Sequence, residues 1–160
     1  MRVIWRFVVM ASLMFWQGGF TFYAAVVVPL GQEMFGKRQG FLTREVTDYL
    51  NLSGAVALLL LAGDIALVRD LPRRRWLRGA AWGVMAAGLA ALVWLHPQLD
   101  QYLDLEARRI LDRGGFRFTH RWYLWISTLQ WGAAIVYILL TLLAWRRQDS
   151  LGERGASAPC

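Results

Sequence analysis

The chain has 160 residues, of which 57% are hydrophobic and nine are tryptophan, and its mean hydropathy is +0.35. Its 18 basic and 11 acidic residues nevertheless leave a formal net charge of +7. So much apolar surface excludes a disordered chain, and a single cysteine, Cys160, excludes an intramolecular disulfide scaffold. This combination is typical of a polytopic membrane protein whose basic residues lie at the lipid headgroups.

Four apolar runs can each cross a bilayer as an α-helix, alone or with a flanking turn, because a crossing needs about 20 residues. They cover residues 7–30, 50–68, 79–96 and 122–145. Asp64 is the only acidic or basic side chain among them, histidine apart. We therefore predict an all-α, four-transmembrane-helix bundle over residues 1–147, followed by a disordered C-terminal tail over 148–160.

The first run must be distinguished from a secretory signal peptide, because Arg2 and Arg6 precede it. Bulky aromatic side chains stand in residues 20–23, where signal cleavage needs small residues, and the apolar run then continues to Leu30. This pattern favours a helix that is retained in the membrane.

The arginines predict the orientation. The short segment 69–78 holds five of them, and together with both termini it makes one side with ten basic residues. The opposite segments, 31–49 and 97–121, hold eight basic residues that are balanced by seven acids. Short loops rich in arginine stay in the cytoplasm, so both termini are predicted to be cytoplasmic.

Tryptophans near the ends of the runs predict an aromatic belt at each membrane boundary. The expected inner members are Trp5, Trp76 and Trp145, and the expected outer members are Trp94, Trp122 and Trp125. The chain also has 17 arginines but a single lysine, which indicates a GC-rich bacterium. The predicted location is therefore the bacterial inner membrane.

The second outer segment, 97–112, has apolar residues at helical spacing and polar residues on the other face. It predicts an amphipathic interfacial helix, or an extension of the third span, that begins near Pro97 and ends before Gly114. The second span is expected to begin early, near residue 41, with Thr43 as a candidate cap.

Asp64 is a functional candidate because an acid within a membrane span is costly and rarely without a purpose. It lies four residues from Val68, only about 6 Å from the inner boundary. Arg6, Arg78 and Arg146 are expected at a similar level. A structural ion pair is the favoured interpretation, and proton or ion handling is the alternative.

Gln17 and Gln130 both fall near the middle of the bilayer, on the first and last spans. An amide in hydrocarbon needs a partner, so a reciprocal hydrogen bond between them is the favoured prediction. The alternative is a polar pathway, lined by Gln17, Gln130 and Asp64, in a small transporter or channel.

His96 closes the third run and His120 precedes the fourth, which places both on the outer face. Interfacial structural roles are favoured for both. The alternative is a redox protein linked to haem b or a quinone, with the two imidazoles as ligands. No phosphate-binding glycine loop, cysteine pair or serine-nucleophile motif is present, so no catalytic residue and no metal site are predicted.

Small residues recur every four positions along the third span, at Gly83, Ala87 and Ala91. Because small side chains let helix backbones approach closely in lipid, this stripe is predicted to face a neighbouring helix.

Several short stretches carry a resemblance to a known family: residues 18–23, residues 26–29, Trp94 to Pro97, and Phe116 to His120. Together they resemble the transmembrane protein 205-like domain family over roughly residues 7–145. The resemblance implies a four-helix membrane domain with no established cofactor or reaction. It marks His120 and Pro29 as the residues most worth substituting.

The leading functional hypothesis is a small, non-enzymatic membrane protein of accessory or transport-related function. Its expected partner is the bilayer, with anionic headgroups at the inner arginines. Protein partners or a homo-oligomer are the further candidates. Nucleic acid is not expected, because the basic clusters adjoin membrane spans.

Overall fold

The structure is a computed structural model and describes residues 1–36, 39–104 and 109–156. Helices make up most of this part of the chain. In chain order they are α1 (Arg2–Phe22), α2 (Val28–Phe35), α3 (Gln39–Leu67), α4 (Pro72–Asp100) and α5 (Arg113–Ala156). A short π-helical turn, Tyr23–Val27, joins α1 to α2 without interrupting the helical path.

Four helical segments are long and apolar enough to cross a membrane: Arg2–Phe35, Thr43–Leu67, Pro72–Asp100 and Arg113–Leu151. Each contains one of the predicted runs to within one residue. The predicted four-span helical architecture is thus confirmed by length and composition, and the chain is a multi-pass membrane protein on that ground.

The spans pack in sequence, α1 against α3, α3 against α4, and α4 most extensively against α5. Val9, Leu13, Leu61, Met85 and Tyr137 are among the fully buried core residues. Large apolar side chains cover the outside of the bundle, where Phe15 and Leu59 are each 74% exposed. An apolar exterior over a partly polar interior suits a protein whose solvent is lipid.

The α1–α2 junction reflects Pro29. Proline has no N–H group, so the usual helical bond to the carbonyl oxygen four residues earlier cannot form. The chain widens just before it, and the Val28 N–H donates to the carbonyl oxygen of Tyr23, five residues back. A π turn beside a proline therefore carries the first span through this position.

The last helix extends beyond the predicted span at both ends. At its start, the Asp112 carboxylate accepts hydrogen bonds from the backbone N–H groups of Gly114 (2.8 Å) and Gly115 (3.2 Å). At its other end, α5 continues to Ala156. The structure thus has helix over 148–156, where a disordered tail was predicted, and residues 157–160 lie outside the described part.

The second outer segment also differs from the predicted interfacial helix. The helix of the third span continues to Asp100, as the alternative prediction had it. A two-residue antiparallel pair then follows, β1 (Leu103–Asp104) with β2 (Arg109–Ile110). Residues 105–108 lie outside the described part. Thr43 does not cap the second span, because α3 begins at Gln39.

The small-residue stripe on the third span does not form the close helix contact that was predicted. Among the described residues, a Cβ atom at Gly83 would meet no atom outside its own helix within 4 Å, and Ala87 is exposed. The close approaches are elsewhere. A Cβ at Gly54 would lie 2.6 Å from the Trp16 ring, and one at Gly88 would lie 3.4 Å from the Gln130 side chain.

Candidate functional site

A buried polar cluster lies at the arginine-rich end of the bundle, where all four spans contribute to it. We call it the Asp64 cluster. Its members are Trp5 from α1, Asp64 from α3, Arg78 from α4, and Tyr137, Thr141 and Trp145 from α5.

Asp64 uses both carboxylate oxygens. Its Oδ2 atom pairs with Nη2 of Arg78, and neither side chain has any exposed surface. Its Oδ1 atom accepts hydrogen bonds from the indole N–H groups of Trp5 and Trp145, each at 3.2 Å. The predicted ion pair of Asp64 is present, and its partner is Arg78 rather than Arg6 or Arg146.

The rest of the Arg78 guanidinium faces α5 and the turn before α4. Its Nε atom donates to Oγ1 of Thr141 at 3.1 Å, and its charge lies 5.4 Å from the centre of the Tyr137 ring. The Tyr137 hydroxyl in turn donates to the carbonyl oxygen of Leu61 at 3.0 Å. The remaining nitrogen, Nη1, is 4.0 Å from Oδ2 of Asp70 and has no hydrogen-bond partner in the described part.

A second ion pair closes the cluster beside the α3–α4 turn. Asp70 accepts a hydrogen bond from Nε of Arg74 at 2.6 Å, and its side chain is fully buried. Burial opposes ionisation of this carboxyl group. The hydrogen bonds from Arg74 and from the Leu71 backbone N–H, with the charges of Arg74 and Arg78, outweigh it and lower the pKa of Asp70.

Helix periodicity explains how these side chains meet. On α5 the buried residues Gln130, Ala134, Tyr137, Thr141 and Ala144 recur every three or four positions, which puts them on one face. That face packs against α4. The short turn between α3 and α4 then sets Asp64, near the end of α3, beside Arg78, near the start of α4.

Sequence reasoning placed two members of the cluster wrongly. Trp5 and Trp145 were expected in the inner aromatic belt, but both direct their indole N–H groups to Asp64, and Trp145 is only 8% exposed. Four other predicted belt residues are more than half exposed, as a belt requires. They are Trp76, Trp94, Trp122 and Trp125.

Tyr137 and Thr141 were missed altogether. The available signal was the spacing of Tyr137 and Thr141 behind Gln130, which places three hydrogen-bonding side chains on one face of an otherwise apolar span. Such a face indicates a polar interior contact, because no water is present in hydrocarbon to satisfy it.

Gln17 and Gln130 do not form the predicted reciprocal hydrogen bond. The Gln130 amide nitrogen donates instead to the backbone carbonyl oxygen of Met85 on α4, at 2.8 Å. Gln17 is buried on α1, a helix that packs mainly against α3. Among the described residues, Asp64 bonds within its own cluster and shares no hydrogen bond with Gln17 or Gln130.

The two histidines have separate surroundings. Nδ1 of His96 lies 3.0 Å from Oδ1 of Asp48, and its Nε2 atom is buried without a hydrogen-bond partner in the described part. His120 stacks on Phe116, with ring centres 5.8 Å apart and planes within 8°. No contact links the two imidazoles among the described residues.

Candidate metal ligands are sparse. Within residues 1–36, 39–104 and 109–156, no group of three or more His, Cys, Asp and Glu side chains is placed to hold a metal ion. Among these residues, His96 and His120 are each a single candidate ligand.

Comparisons of the chain with protein-family models, with curated proteins and with solved structures found no match. The resemblance to the transmembrane protein 205-like domain family therefore stays a prediction from the short stretches that carry it.

Proposed function

We propose that this chain is a small, non-enzymatic integral membrane protein of accessory or transport-related function in a bacterial inner membrane, with both termini cytoplasmic. The observation that carries the proposal is the complete engagement of Asp64. Both of its oxygens are bonded, to side chains from three other spans, and it has no exposed surface. This geometry supports a structural role for Asp64 in assembling the bundle.

Catalytic and ion-conducting carboxylates need access to a substrate or an aqueous path. The carboxylate of Asp64 is enclosed by Arg78, Trp5 and Trp145. Removing one partner of such a buried pair is strongly destabilising, because the other charge is left without compensation in a medium that solvates it poorly. The cluster is thus better suited to holding the helices together than to catalysing a reaction.

The distribution of paired charges supports the proposed orientation. At the arginine-rich end Asp64, Asp70 and Asp149 each pair with an arginine of the chain, namely Arg78, Arg74 and Arg6. Six arginines at that end have no salt bridge in the described part. They are Arg2, Arg69, Arg73, Arg75, Arg146 and Arg147. A positive end of this kind is retained in the cytoplasm and attracts anionic headgroups.

Orientation can be tested with single-cysteine variants on a Cys160→Ser background. A membrane-impermeant maleimide should label Asp112→Cys from outside intact cells, and should label Ser150→Cys only after the cells are opened. Labelling of Ser150→Cys from outside would contradict cytoplasmic termini. Equal labelling of both before lysis would show leaky cells, so a cytosolic marker protein is measured alongside.

The non-transporting interpretation can be tested in liposomes. Purified wild-type protein should give no proton or potassium flux above that of empty vesicles. Flux that is abolished by Asp64→Asn or Gln17→Leu, with protein incorporation unchanged, would support the transporter hypothesis instead. An accessory role further predicts that a specific membrane protein copurifies after gentle detergent extraction.

A second candidate function, a redox protein linked to haem or a quinone, is favoured by one observation at His96. Histidines that bind a metal commonly direct one ring nitrogen to a carboxylate and keep the other free for the metal. His96 has this arrangement, with Nδ1 at Asp48 and Nε2 without a hydrogen-bond partner among the described residues. Purified protein with Soret absorbance that His96→Ala removes would support it, and the absence of that absorbance would refute haem binding.

A further inference from the structure

A groove of about 840 Å³ opens at the arginine-rich end, between the start of α1, the end of α3 and the end of α5. Its walls include Ile4, Leu67 and Leu151, which are 67%, 66% and 52% exposed. A volume of this size falls within the range of sites for small ligands. The groove is therefore an apolar slot at the arginine-rich end of the bundle.

The Trp5 side chain forms part of one wall of the groove and is held in place by its contacts. Its indole N–H is bonded to Asp64, and its ring packs against the core cluster of the bundle. Val68, another lining residue, is itself only 6% exposed. Trp5 thus belongs both to the Asp64 cluster and to the wall of the groove.

The rim of the groove carries positive charge that the protein does not compensate fully. Arg6 is held by both carboxylate oxygens of Asp149, each at 2.8 Å, and lies over the Trp145 ring. Arg2 and Arg69 also line the groove, are exposed, and make no salt bridge in the described part. Two arginines without an ion-pair partner among the described residues therefore line an apolar slot.

We propose that this groove binds one anionic phospholipid, with an acyl chain along the Ile4 and Leu67 walls and its phosphate against Arg2 and Arg69. An apolar chain linked to a negative headgroup is the ligand whose two parts match the two parts of the site. A second copy of this chain is a poor occupant, because it would bring its own positively charged arginines against Arg2 and Arg69. The proposal rests on the proposed function only in placing the arginine-rich end at the headgroups.

The site makes a quantitative expectation. Each arginine near an anionic headgroup strengthens binding about fivefold, so Arg2→Gln with Arg69→Gln should weaken it roughly 25-fold. The matched control is Arg73→Gln with Arg75→Gln, which removes the same charge from two exposed arginines at the same end that do not line the groove. The control should change binding less than threefold if a defined site exists, since exposed charges farther away are screened.

The experiment is native mass spectrometry of the detergent-solubilised full chain, titrated with phosphatidylglycerol and with phosphatidylethanolamine of the same acyl chains. One phosphatidylglycerol should bind more tightly than the rest, and phosphatidylethanolamine should not replace it. Leu67→Trp should weaken this binding by filling the slot, whereas Leu59→Trp, on the exposed face of the same helix, should not.

Three results would overturn the proposal. The two double-arginine variants could lose lipid affinity equally, the two lipids could bind equally well, or the protein could form a dimer without bound lipid. Full binding by Leu67→Trp would also overturn it, by showing that the apolar slot is not used. Because detergent has no sidedness, these outcomes are independent of the orientation test. A wrong orientation would leave the binding intact, and absent binding would leave the proposed topology intact.

Discussion

Arg78 and Asp64 form an ion pair in which neither side chain is exposed to solvent, although each comes from a different membrane span. They flank the short turn between α3 and α4 and are only 14 residues apart in the chain. Thr141 and Trp145 then connect this pair to the last span, and Trp5 connects it to the first. One charge pair therefore links the positions of all four spans.

The first prediction concerns this ion pair. Asp64→Leu or Arg78→Met alone should lower the free energy of unfolding by about 3–5 kcal/mol, because each leaves a buried charge unpaired. The double variant should be more stable than either single variant. Thermal unfolding in detergent, followed by circular dichroism, measures the effect. Losses that simply add would show that the two side chains do not act as a pair. Arg44→Gln is the control at the opposite end, where the pair with Asp100 is partly exposed.

The second prediction concerns the two indoles on Asp64. Trp145→Phe keeps most of the ring volume but removes a hydrogen bond to a charged acceptor, so it should cost about 1.5–3 kcal/mol. Trp5→Phe should act in the same direction on the same oxygen atom. The control is Trp76→Phe, at a ring 71% exposed near the same end. If all three changes had the same small effect on unfolding, the indoles would be ordinary belt residues.

The third prediction concerns Gly54, where α3 lies against Trp16. A Cβ atom at this position would approach the buried indole to 2.6 Å, so Gly54→Ala should destabilise the bundle by about 1–3 kcal/mol. Gly132→Ala is the matched control, since a Cβ there would meet no described residue beyond its own helical turn within 4 Å. The control should raise helix stability by roughly 0.5–1 kcal/mol. A neutral Gly54→Ala in the unfolding assay would argue against this close contact.

The fourth prediction concerns pH. The folded chain lowers the pKa of Asp70 below its ordinary 3.8, so this carboxylate stabilises the protein above that pH. The contribution should be lost as the pH falls through the lowered pKa. Between about pH 5 and about pH 2, wild type should therefore lose more unfolding free energy than Asp70→Asn. An identical pH profile for the two proteins would show that the pairing with Arg74 does not stabilise the fold.

The fifth prediction tests whether Gln17 and Gln130 interact with each other. Since Gln130 donates to the Met85 carbonyl oxygen and not to Gln17, the variants Gln17→Leu and Gln130→Leu should have independent effects on unfolding. Their sum should match the double variant within about 0.3–0.5 kcal/mol. A coupling energy well above that range would restore the reciprocal hydrogen bond that the sequence predicted.

The number of spans and their approximate limits could be predicted from sequence because both are local properties. About 20 apolar residues must cross the bilayer wherever their neighbours lie, and all four runs appear within helices of the structure. An ion pair for Asp64 could also be predicted, because an acid in a span needs a partner and three arginines were expected at the same depth. The sequence could not show which of the three arginines, Arg6, Arg78 or Arg146, is the partner.

What the sequence by itself determined is the four-helix, multi-pass class of the protein, which follows from the length and composition of its runs. The tertiary structure decided which faces of those helices meet. It directed the indole N–H groups of Trp5 and Trp145 to Asp64 and bonded Gln130 to Met85 instead of Gln17. Among the described residues, it left Gly83 without a close neighbour on another helix. The physical reason is that apolar periodicity is weak in a span that is hydrophobic all round. The inward face then depends on which polar groups must satisfy one another, and those pairings join residues far apart in the chain.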